Sequence, residues 1–432
     1  MQFKRLIFDN DRVPSVNTTL VTDYDIRRLT EQIRNLSFPF VAPLGPNYNY
    51  VSQGFLKSAR VFNNLPLSSV NATCVNGKLS RVVGFFNQNL INGVRWRKGF
   101  LVQFSSTAGM HNFLPIAYFK NQFVPFAEAN LSIATHALHY GTGAFGGLRG
   151  IPDPKNANQI LLFRLDRHCQ RLSNSAKLIN YELPADKIQA VITEFVQKNK
   201  PNQSCYIRPF AYTSGLGIAP RLHNIEKDFF VYGLELGDYL SADGVTCRIS
   251  SWCRQEDRSL PLRGKISGAY ITSSLAKTEA VESGFDEAIL LNTQGKVSEA
   301  SGMNIFLIRN GDLITPGYEQ DILEGITRDS ILTLARNLGI KTIERPVDKS
   351  ELFIADEVFL SGTAAKITPV KKIETYLTPK THPITDQLKA KLTAITENLE
   401  PDYRDWVFPI ALHEQKSNAL RRHLLVKKDK LL

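Results

Sequence analysis

Long apolar stretches are absent from this chain of 432 residues. No run reaches the ~18 consecutive apolar residues that a helix needs to cross a bilayer, which argues against a helical membrane protein. The apolar core of a signal peptide is also missing, because Asp9, Asp11 and Arg12 follow closely on the first residues. These absences predict a cytoplasmic protein with no membrane partner.

Cysteine is scarce and scattered. The five cysteines are Cys74, Cys169, Cys205, Cys247 and Cys253, and none of them forms a CxxC pair. Disulfide frameworks and zinc sites both need closely patterned cysteines. The sequence therefore predicts neither a disulfide-stapled fold nor a bound metal.

The formal net charge of +11 is concentrated at the two ends of the chain. Residues 1–109 carry 13 Lys and Arg against 5 Asp and Glu, and residues 413–432 carry 6 against 2, which leaves residues 110–412 at −1. Basic ends are typical of solvated flanks and also of nucleic-acid-binding arms. A nucleic-acid-binding protein is therefore an alternative, although nucleic acid is not the expected partner.

Regular patterning begins at Met110. Upstream of it only Tyr24–Leu36 has a helical apolar stripe, so residues 1–109 are predicted to be a disordered extension or sequence foreign to the native protein. Downstream, helical stripes and short apolar strands follow one another. We predict a smaller α/β domain at 110–240, a linker at 241–246, a larger strand-rich domain at 247–412 and a basic tail at 413–432.

Hydrophobic periodicity and turn residues predict the elements of both domains. The smaller domain is predicted to contain a hairpin at 116–126, helices at Asp166–Ile179 and Ala185–Lys198, and strands at Ser204–Phe210 and Phe229–Leu236. The larger domain is predicted to contain hairpins at 287–299 and 304–315, helices at Ala269–Glu282 and Asp329–Asn337, and a strand at 357–360. The Asn310-Gly311 pair predicts a tight turn in the second hairpin of the larger domain.

Lys265 is the candidate nucleophile. It stands between glycines in Arg263–Tyr270, just ahead of a predicted helix. Small neighbours leave room for a planar group beside the amine, and a desolvated lysine is the usual Schiff-base nucleophile. A lysine in a glycine-rich loop is more often a solvated charge, so the hypothesis depends on further motifs.

Two loops have the composition of phosphate-binding loops. Gly325-Ile-Thr precedes a helical stripe, where free backbone N–H groups and the helix dipole favour an anion. Ser361-Gly-Thr follows a predicted strand. Each loop alone is equally typical of a cap or a turn. Together with Lys265, they indicate a phosphorylated aldehyde cofactor.

Glu299 stands on a predicted strand with apolar surroundings. A carboxylate at such a position could keep a pyridine nitrogen protonated, which would make a cofactor ring an electron sink. For Glu299 taken alone, an exposed glutamate at the end of a strand is the alternative.

Seven ordered motifs between Met110 and about Leu412 resemble the branched-chain amino-acid aminotransferases, which are fold-type IV pyridoxal-phosphate enzymes. The motifs are 136–142, 145–149, 206–209, 262–265, 298–304, 325–328 and 361–369. The resemblance implies a two-domain α/β (α+β) fold, with a smaller α/β domain and a larger strand-rich pseudobarrel. It also implies a homodimer or higher homo-oligomer. The implied reaction moves an amino group between L-leucine, L-isoleucine or L-valine and 2-oxoglutarate through pyridoxal 5'-phosphate.

The resemblance further implies roles for individual residues. Lys265 would hold the cofactor as a Schiff base, Glu299 would meet its ring nitrogen and Tyr270 its phenolic oxygen. The implied phosphate ligands are Arg171, Ile326, Thr327 and Thr363. The implied substrate residues are Gly362, Thr363, Ala364 and Tyr206 for the α-carboxylate; Phe145, Tyr239 and Tyr270 for the aliphatic pocket; Arg149 and Arg208 for the distal carboxylate of glutamate; and Tyr140 with the Leu216–Ile218 loop from a neighbouring subunit.

Two positions depart from the family pattern. Gly146 stands where the family commonly has an acidic residue, and Leu236 stands where it commonly has a tryptophan. Both bear on the shape of the pocket rather than on the cofactor chemistry. D-amino-acid aminotransferase and aminodeoxychorismate lyase, of the same fold type, are the alternatives, while Tyr206-x-Arg208 and the 136–142 motif favour the branched-chain enzymes.

Methionine occurs only at Met1, Met110 and Met303. Met110 stands where the family-like region opens, so we expect translation of the native protein to start there. An organelle-targeting segment and an accessory domain are the alternatives for residues 1–109. Five acidic residues among the first 31 speak against the first alternative.

Overall fold

Four strands are described in the first of the two units into which the chain divides, Met1–His111. The computed structural model describes residues 6–9, 67–75, 78–87, 97–102, 112–237 and 243–412. The strands β1 (Leu6–Asp9), β2 (Leu67–Val75), β3 (Lys78–Asn87) and β4 (Arg97–Val102) form an antiparallel sheet in the order β1–β4–β3–β2. Periodicity did not predict this sheet. The status of residues 1–109 as an extension foreign to the enzyme stays a prediction.

Several predictions fall on residues outside the described ranges. They are the helix at Tyr24–Leu36, the pocket residue Tyr239, the first two residues of the linker at 241–246, and the tail at 413–432.

The second unit, Asn112–Leu432, contains two sheets. The first sheet has eight antiparallel strands: β5 (Ile116–Phe119), β6 (Gln122–Pro125), β7 (Gly143–Phe145), β8 (Leu148–Asp153), β9 (Asn156–Phe163), β10 (Cys205–Thr213), β11 (Lys227–Glu235) and β21 (Val407–Ala411). Their order is β21–β9–β8–β10–β11–β5–β6, and β7 pairs with β10. The strand β21 therefore returns from the end of the predicted larger domain to the sheet of the smaller one.

Helices α2 (Leu165–Leu178) and α3 (Ala185–Asn199) pack on the first sheet, and the short α1 (His136–Tyr140) lies nearby in sequence before β7. The apolar faces of these two helices point into one hydrophobic core. Leu172 of α2 and Ile192 of α3 are buried there with Cys205 and Ile207 of β10. Because strand side chains alternate, Tyr206 and Arg208 face away from this core. That opposite face is free to form a site.

The second sheet has nine strands: β12 (Val245–Cys253), β13 (Glu287–Leu291), β14 (Val297–Ala300), β15 (Asn304–Arg309), β16 (Asp312–Thr315), β17 (Thr342–Glu344), β18 (Glu357–Gly362), β19 (Lys366–Ile373) and β20 (Tyr376–Leu377). Their order is β14–β13–β12–β19–β18–β15–β16–β17, with β20 on β19. The pairs β12–β13, β12–β19 and β16–β17 are parallel. The sheet is therefore mixed.

Three further helices accompany this sheet: α4 (Tyr270–Glu282), α5 (Ile326–Asn337) and α6 (Pro383–Thr396). Short 3₁₀ turns occur at Phe126–Glu128, Ser267–Ala269, Tyr318–Gln320, Lys349–Phe353 and Pro401–Trp406. Leu161 of β9 and Val407 of β21 share a core with residues of α5 and α6, so the two sheets meet along an apolar seam. No helix among the described residues is long and apolar enough to span a membrane.

The strongly patterned elements were predicted within a few residues. α2 and α3 occupy the predicted helical segments, and the hairpins β5–β6, β13–β14 and β15–β16 are present. Asn310 and Gly311 have φ values of 51° and 82°, as a tight hairpin turn requires. The strand β12 was not predicted, since Thr246, Arg248 and Ser250 interrupt its apolar residues; it takes up the end of the predicted linker.

Candidate active site

The open face of the first sheet brings together the residues predicted for the substrate. Tyr206 stands opposite Arg149 in the β10–β8 register, and Phe145 of β7 stands opposite Phe210. Tyr206, Arg208 and Phe210 alternate along β10, so all of these side chains share one face. The guanidinium of Arg208 lies 4.5 Å from the ring centroid of Phe145.

Lys265 lies in the loop between β12 and α4, and its backbone is held from two sides. Its N–H donates to Ser175 Oγ of α2 at 3.1 Å, and its carbonyl accepts from the Phe145 N–H at 3.0 Å. Its Nζ donates to the Tyr270 hydroxyl at 2.5 Å. The loop is therefore held in place and the lysine is partly buried, which favours a role in a site over that of a fully solvated charge.

Burial lowers the pKa of Lys265 well below its ordinary value, and the neighbouring cations Arg171 and Arg208 lower it further. Burial also raises the pKa of Tyr270, and Glu299 adds to that rise. Both shifts favour the uncharged forms. A lowered lysine pKa favours the uncharged, nucleophilic form of the amine, and the raised tyrosine pKa favours the protonated phenol beside it.

Glu299 is a buried carboxylate on β14, not an exposed strand end. Arg254 NH2 lies 2.8 Å from Oε1, and Oε2 accepts from Asn304 Nδ2 at 3.0 Å and from the Leu323 N–H at 3.1 Å. Burial raises the pKa of Glu299, while Arg254, the Leu323 N–H and Lys265 oppose that rise. The carboxylate is thus held in one orientation and compensated by a cation.

The N-terminus of α5 presents backbone N–H groups without a side-chain cap. The helix begins at Ile326 after Gly325, and no side chain caps its first turn. A Cβ at position 325 would come within 1.9 Å of Asn304 Oδ1, so a side chain there would displace that amide. Backbone N–H groups at such a helix start are able to bind an anion.

Arg171 lies on the same face of α2 as Ser175, four residues on, and so points toward the Lys265 loop. Its NH1 donates to the Glu324 carbonyl at 3.1 Å, next to the start of α5. Burial lowers the pKa of Arg171 below its ordinary value, which reflects the cost of a desolvated cation. A phosphate group at this position would remove that cost.

Thr327, Gly362, Thr363 and Arg149 line one cleft between α5, the β18–β19 turn and the first sheet. The two predicted phosphate-binding loops therefore meet in space although they are separate in sequence. Arg149 is buried and donates to the carbonyls of Ala364 at 3.3 Å, Leu236 at 3.3 Å and Gly237 at 2.9 Å. Its implied contact with a distal carboxylate stays a prediction.

The glycines after Phe145 leave space that other groups fill. A Cβ at Gly147 would lie 1.9 Å from the Tyr206 hydroxyl, and one at Gly146 would lie 2.8 Å from Pro209 Cγ. An acidic residue at position 146 would therefore press on Pro209 in this chain. The second departure, Leu236, is partly buried and contributes its carbonyl to Arg149.

Tyr140 contacts the loop that contains Ile218. Its hydroxyl donates to the Ile218 carbonyl, and both residues are on the surface. His136 supports the same loop, with Nε2 lying 2.9 Å from the Ala219 carbonyl. The resemblance assigned Tyr140 and the Leu216–Ile218 loop to a neighbouring subunit, and that assignment stays a prediction.

Three residues of the site were missed from the sequence. Arg254 pairs with Glu299, Asn304 donates to the same carboxylate, and Ser175 holds the backbone of Lys265. Asn304 closes the 298–304 motif and Ser175 follows Arg171 by one helical turn, so a signal existed for both. Arg254 had none, because its partner lies in a distant strand.

Comparisons with known proteins show the family of the chain. The sequence profile described as amino-transferase class IV matches residues 155–373. A probable branched-chain-amino-acid aminotransferase of Synechocystis sp. is 72% identical over 304 residues, which are 70% of this chain and 100% of that protein. This chain belongs to the branched-chain-amino-acid aminotransferase family.

Solved members of the family have the same fold. The branched-chain aminotransferase of the thermophilic archaeon Thermoproteus uzoniensis, with norvaline, is 35% identical, with a TM-score of 0.66 over 68% of this chain and 99% of that one. The Thermobaculum terrenum enzyme in its PLP form is 34% identical, with a TM-score of 0.66 over 70% and 99%. The predicted family, enzyme class and fold class are therefore confirmed. The role of each site residue stays a prediction.

Proposed function

We propose that this chain is a pyridoxal-phosphate-dependent transaminase that exchanges an amino group between L-leucine, L-isoleucine or L-valine and 2-oxoglutarate. The observation that carries this proposal is the Lys265 amine, 2.5 Å from the Tyr270 hydroxyl, in a site with a buried carboxylate and a helix start that has no side-chain cap. These three features correspond to the aldehyde, the ring nitrogen and the phosphate of the cofactor.

The described residues fit pyridoxal phosphate. Arg171 is a largely buried cation for which the described residues provide a carbonyl but no ion pair, and the first turn of α5 lacks a side-chain cap. Arg171, Ile326, Thr327 and Thr363 would hold the phosphate. When bound, the cofactor supplies an electrophilic aldehyde carbon and a ring that withdraws electrons.

Lys265 has two tasks in the proposed reaction. Its Nζ would hold the aldehyde carbon of the cofactor and, when free, would take the proton from the substrate α-carbon. The Tyr270 hydroxyl keeps Nζ in place through their hydrogen bond. The lowered pKa of Lys265 matters here, because a protonated amine could neither bind the cofactor nor act as a base.

Glu299 would provide a carboxylate for the ring nitrogen of the cofactor. Arg254 favours the ionised carboxylate, which can then accept a proton-bearing ring nitrogen as its partner. A neutral acceptor would not hold that proton. The arrangement supports the role that the resemblance implied for Glu299.

The substrate end offers cations and apolar surface together. Phe145 and Tyr270 lie beside the Lys265 amine and would contact the aliphatic side chain. Arg208, on the same sheet face, would bind the distal carboxylate of glutamate. Backbone groups of Gly362, Thr363 and Ala364 with Tyr206 would bind the α-carboxylate; Arg149 and Tyr239 complete the proposed set.

An absorption spectrum tests the cofactor, and substrate assays test the reaction. Purified protein with pyridoxal phosphate is expected to show a band near ~400 nm that borohydride abolishes, as a Schiff-base lysine requires. L-leucine should convert the bound cofactor and 2-oxoglutarate should restore it, which gives ping-pong kinetics. Greater turnover of D-alanine or aminodeoxychorismate would instead support one of the alternative enzymes.

We further propose that the chain forms a homodimer through the surface around α1. Ile133, Leu138, Leu216 and Ile218 are 88%, 62%, 69% and 94% exposed, and Tyr140 ties the two segments together. Exposed apolar side chains clustered in this way are typical of an interface. In a dimer they would complete the neighbouring subunit's pocket.

The dimer proposal is tested by placing charge on this surface. Leu216→Glu with Ile218→Glu is expected to yield a monomer in light scattering and to raise KM for leucine. Exposed Leu377 lies on β20 in the second sheet, so Leu377→Glu is the matched control. A double variant that stays dimeric would contradict the proposal.

Cytoplasmic localisation and the domain boundaries also stay proposals. We expect residues 110–412 to carry the whole activity, without residues 1–109 or 413–432. A chain truncated to 110–412 should bind pyridoxal phosphate and transaminate as the full chain does. An inactive but folded truncated chain would show that the ends contribute.

A further inference from the structure

Asn304 connects two parts of the site that the proposed function treats separately. It is the first residue of β15, is 6% exposed, and its Nδ2 donates to both Glu299 Oε2 and the Leu323 carbonyl, each at 3.0 Å. The Leu323 N–H donates to the same Glu299 oxygen at 3.1 Å. Asn304, Glu299 and Leu323 therefore form a closed set of three hydrogen bonds.

The other end of the Asn304 amide contacts the start of α5. A Cβ on Gly325 would lie 1.9 Å from Asn304 Oδ1, so the amide oxygen takes up the space that the missing side chain leaves. Gly325 is the residue from which α5 begins. One side chain thus touches the carboxylate proposed for the ring nitrogen and the cap proposed for the phosphate.

The segment 321–325, between β16 and α5, is held on both sides of this contact. Arg254 pairs with Glu299 Oε1 and also donates Nε to the Asp321 carbonyl at 3.1 Å. On the phosphate side, Arg171 donates to the Glu324 carbonyl at 3.1 Å. A displacement of this segment by a phosphate would therefore change the hydrogen bonds of Glu299 directly.

We propose that Asn304 is a positioning residue that couples the ring-nitrogen site to the phosphate site, so that occupation of one strengthens binding at the other. The proposal rests on the proposed function and adds a coupling between its two subsites. Coupling between sites is reciprocal, so it can be measured from either side. An amide suits this position for two reasons. Its nitrogen can donate to two acceptors at once, and the Asn304 side chain is itself uncharged, so it adds no charge to the Arg254–Glu299 pair.

The test uses the cofactor-free protein and two separate probes, pyridoxal and inorganic phosphate. In the wild type, saturating phosphate is expected to tighten pyridoxal binding by about fivefold or more, in the range typical of coupled sites. In Asn304→Ala this factor should fall to about one, while each probe still binds. Absorbance titration of pyridoxal, with and without phosphate, measures the factor.

A matched control separates coupling from general destabilisation. Asn292 is likewise buried, donates Nδ2 to Gln320 Oε1 at 3.1 Å and accepts from the Gln294 and Lys296 N–H groups, but makes no hydrogen bond to Glu299. Asn292→Ala should lower the Tm and keep the wild-type coupling factor. If Asn304→Ala does not fold, Asn304→Ser, which keeps a small polar group, is measured in its place and is also expected to lose the coupling.

The outcomes distinguish this inference from the proposed function. Wild-type coupling retained in the Asn304 variant, or no coupling in a wild type that binds pyridoxal phosphate, overturns the inference alone. A wild type that binds neither pyridoxal phosphate nor pyridoxal overturns the proposed function as well. If Asn292→Ala loses the coupling factor between pyridoxal and phosphate as fully as Asn304→Ala does, the specific role of Asn304 is overturned.

Discussion

The cofactor end and the substrate end of the site differ in how their charged groups are partnered. Glu299 accepts hydrogen bonds from Arg254, Asn304 and Leu323 within the protein. Arg208 donates to the Tyr206 hydroxyl at 3.1 Å, while its buried Nε has no hydrogen-bond partner among the described residues. A buried polar group without a partner is costly. The carboxylate at the cofactor end is therefore held by the fold, and we propose that a ligand anion completes the substrate end.

The strongest way to break the cofactor end is to remove its nucleophile. Lys265→Ala is expected to abolish covalent cofactor attachment and to lower transamination by about 1,000-fold or more, since it removes the proposed base as well. Borohydride trapping with mass spectrometry and single-turnover rates measure both effects. Lys296→Ala, at a surface pair with Asp348, is the control and should leave both unchanged. Near-wild-type turnover in Lys265→Ala would falsify the assignment.

Glu299→Gln tests the charge of the preorganised carboxylate. The variant should fold but lose most of its rate, because a neutral amide cannot keep the ring nitrogen protonated. It also leaves Arg254 without its counter-charge, which should cost about 3 kcal/mol of unfolding free energy. Denaturant titration and kcat measure the two effects.

The control for this variant is Glu287→Gln. Glu287 is a buried glutamate on β13, next to β14, and its carboxylate lies 2.9 Å from Lys277 Nζ of α4. It should lose stability without a comparable loss of kcat. Equal kcat in Glu299→Gln and the wild type would return Glu299 to a structural role.

Arg171→Ala tests the phosphate part of the cofactor end. Charge-assisted hydrogen bonds contribute roughly 2 kcal/mol each, so the Kd for pyridoxal phosphate should rise about 30-fold, with a smaller change in apoenzyme Tm. Arg167→Ala is the matched control, since Arg167 lies on the same helix but is exposed and pairs with Asp329. Equal cofactor affinity in the two variants would count against the role of Arg171.

Arg208→Gln addresses the substrate end, where the smallest effect is expected. KM for 2-oxoglutarate should rise by about tenfold, because the distal carboxylate loses a charged partner. L-leucine has no distal carboxylate, so its half-reaction serves as the internal control. A parallel loss with both substrates would show that Arg208 supports the pocket and not the carboxylate.

Sequence motifs located the groups of the site that carry a local signature. Lys265 between glycines and Gly325 before a helical stripe were both found in this way, and in the structure Lys265 and Glu324, the neighbour of Gly325, both hydrogen-bond to α2. Arg254 was not found, because its function depends on a contact with Glu299 that no local pattern encodes. The contacts of Asn304 with Glu299 and Leu323 were not predicted for the same reason, although Asn304 lies in the 298–304 motif.

The sequence by itself determined the elements whose signals lie within a few residues of each other. The stripes of α2 and α3 and the Asn310-Gly311 turn depend on periodicity and on positive φ, which neighbouring residues specify. Only the tertiary structure decided that β21 joins the first sheet, that Arg254 meets Glu299 and that the two predicted phosphate-binding loops converge. Those contacts bring together segments far apart in the chain, so they follow from packing and not from local sequence.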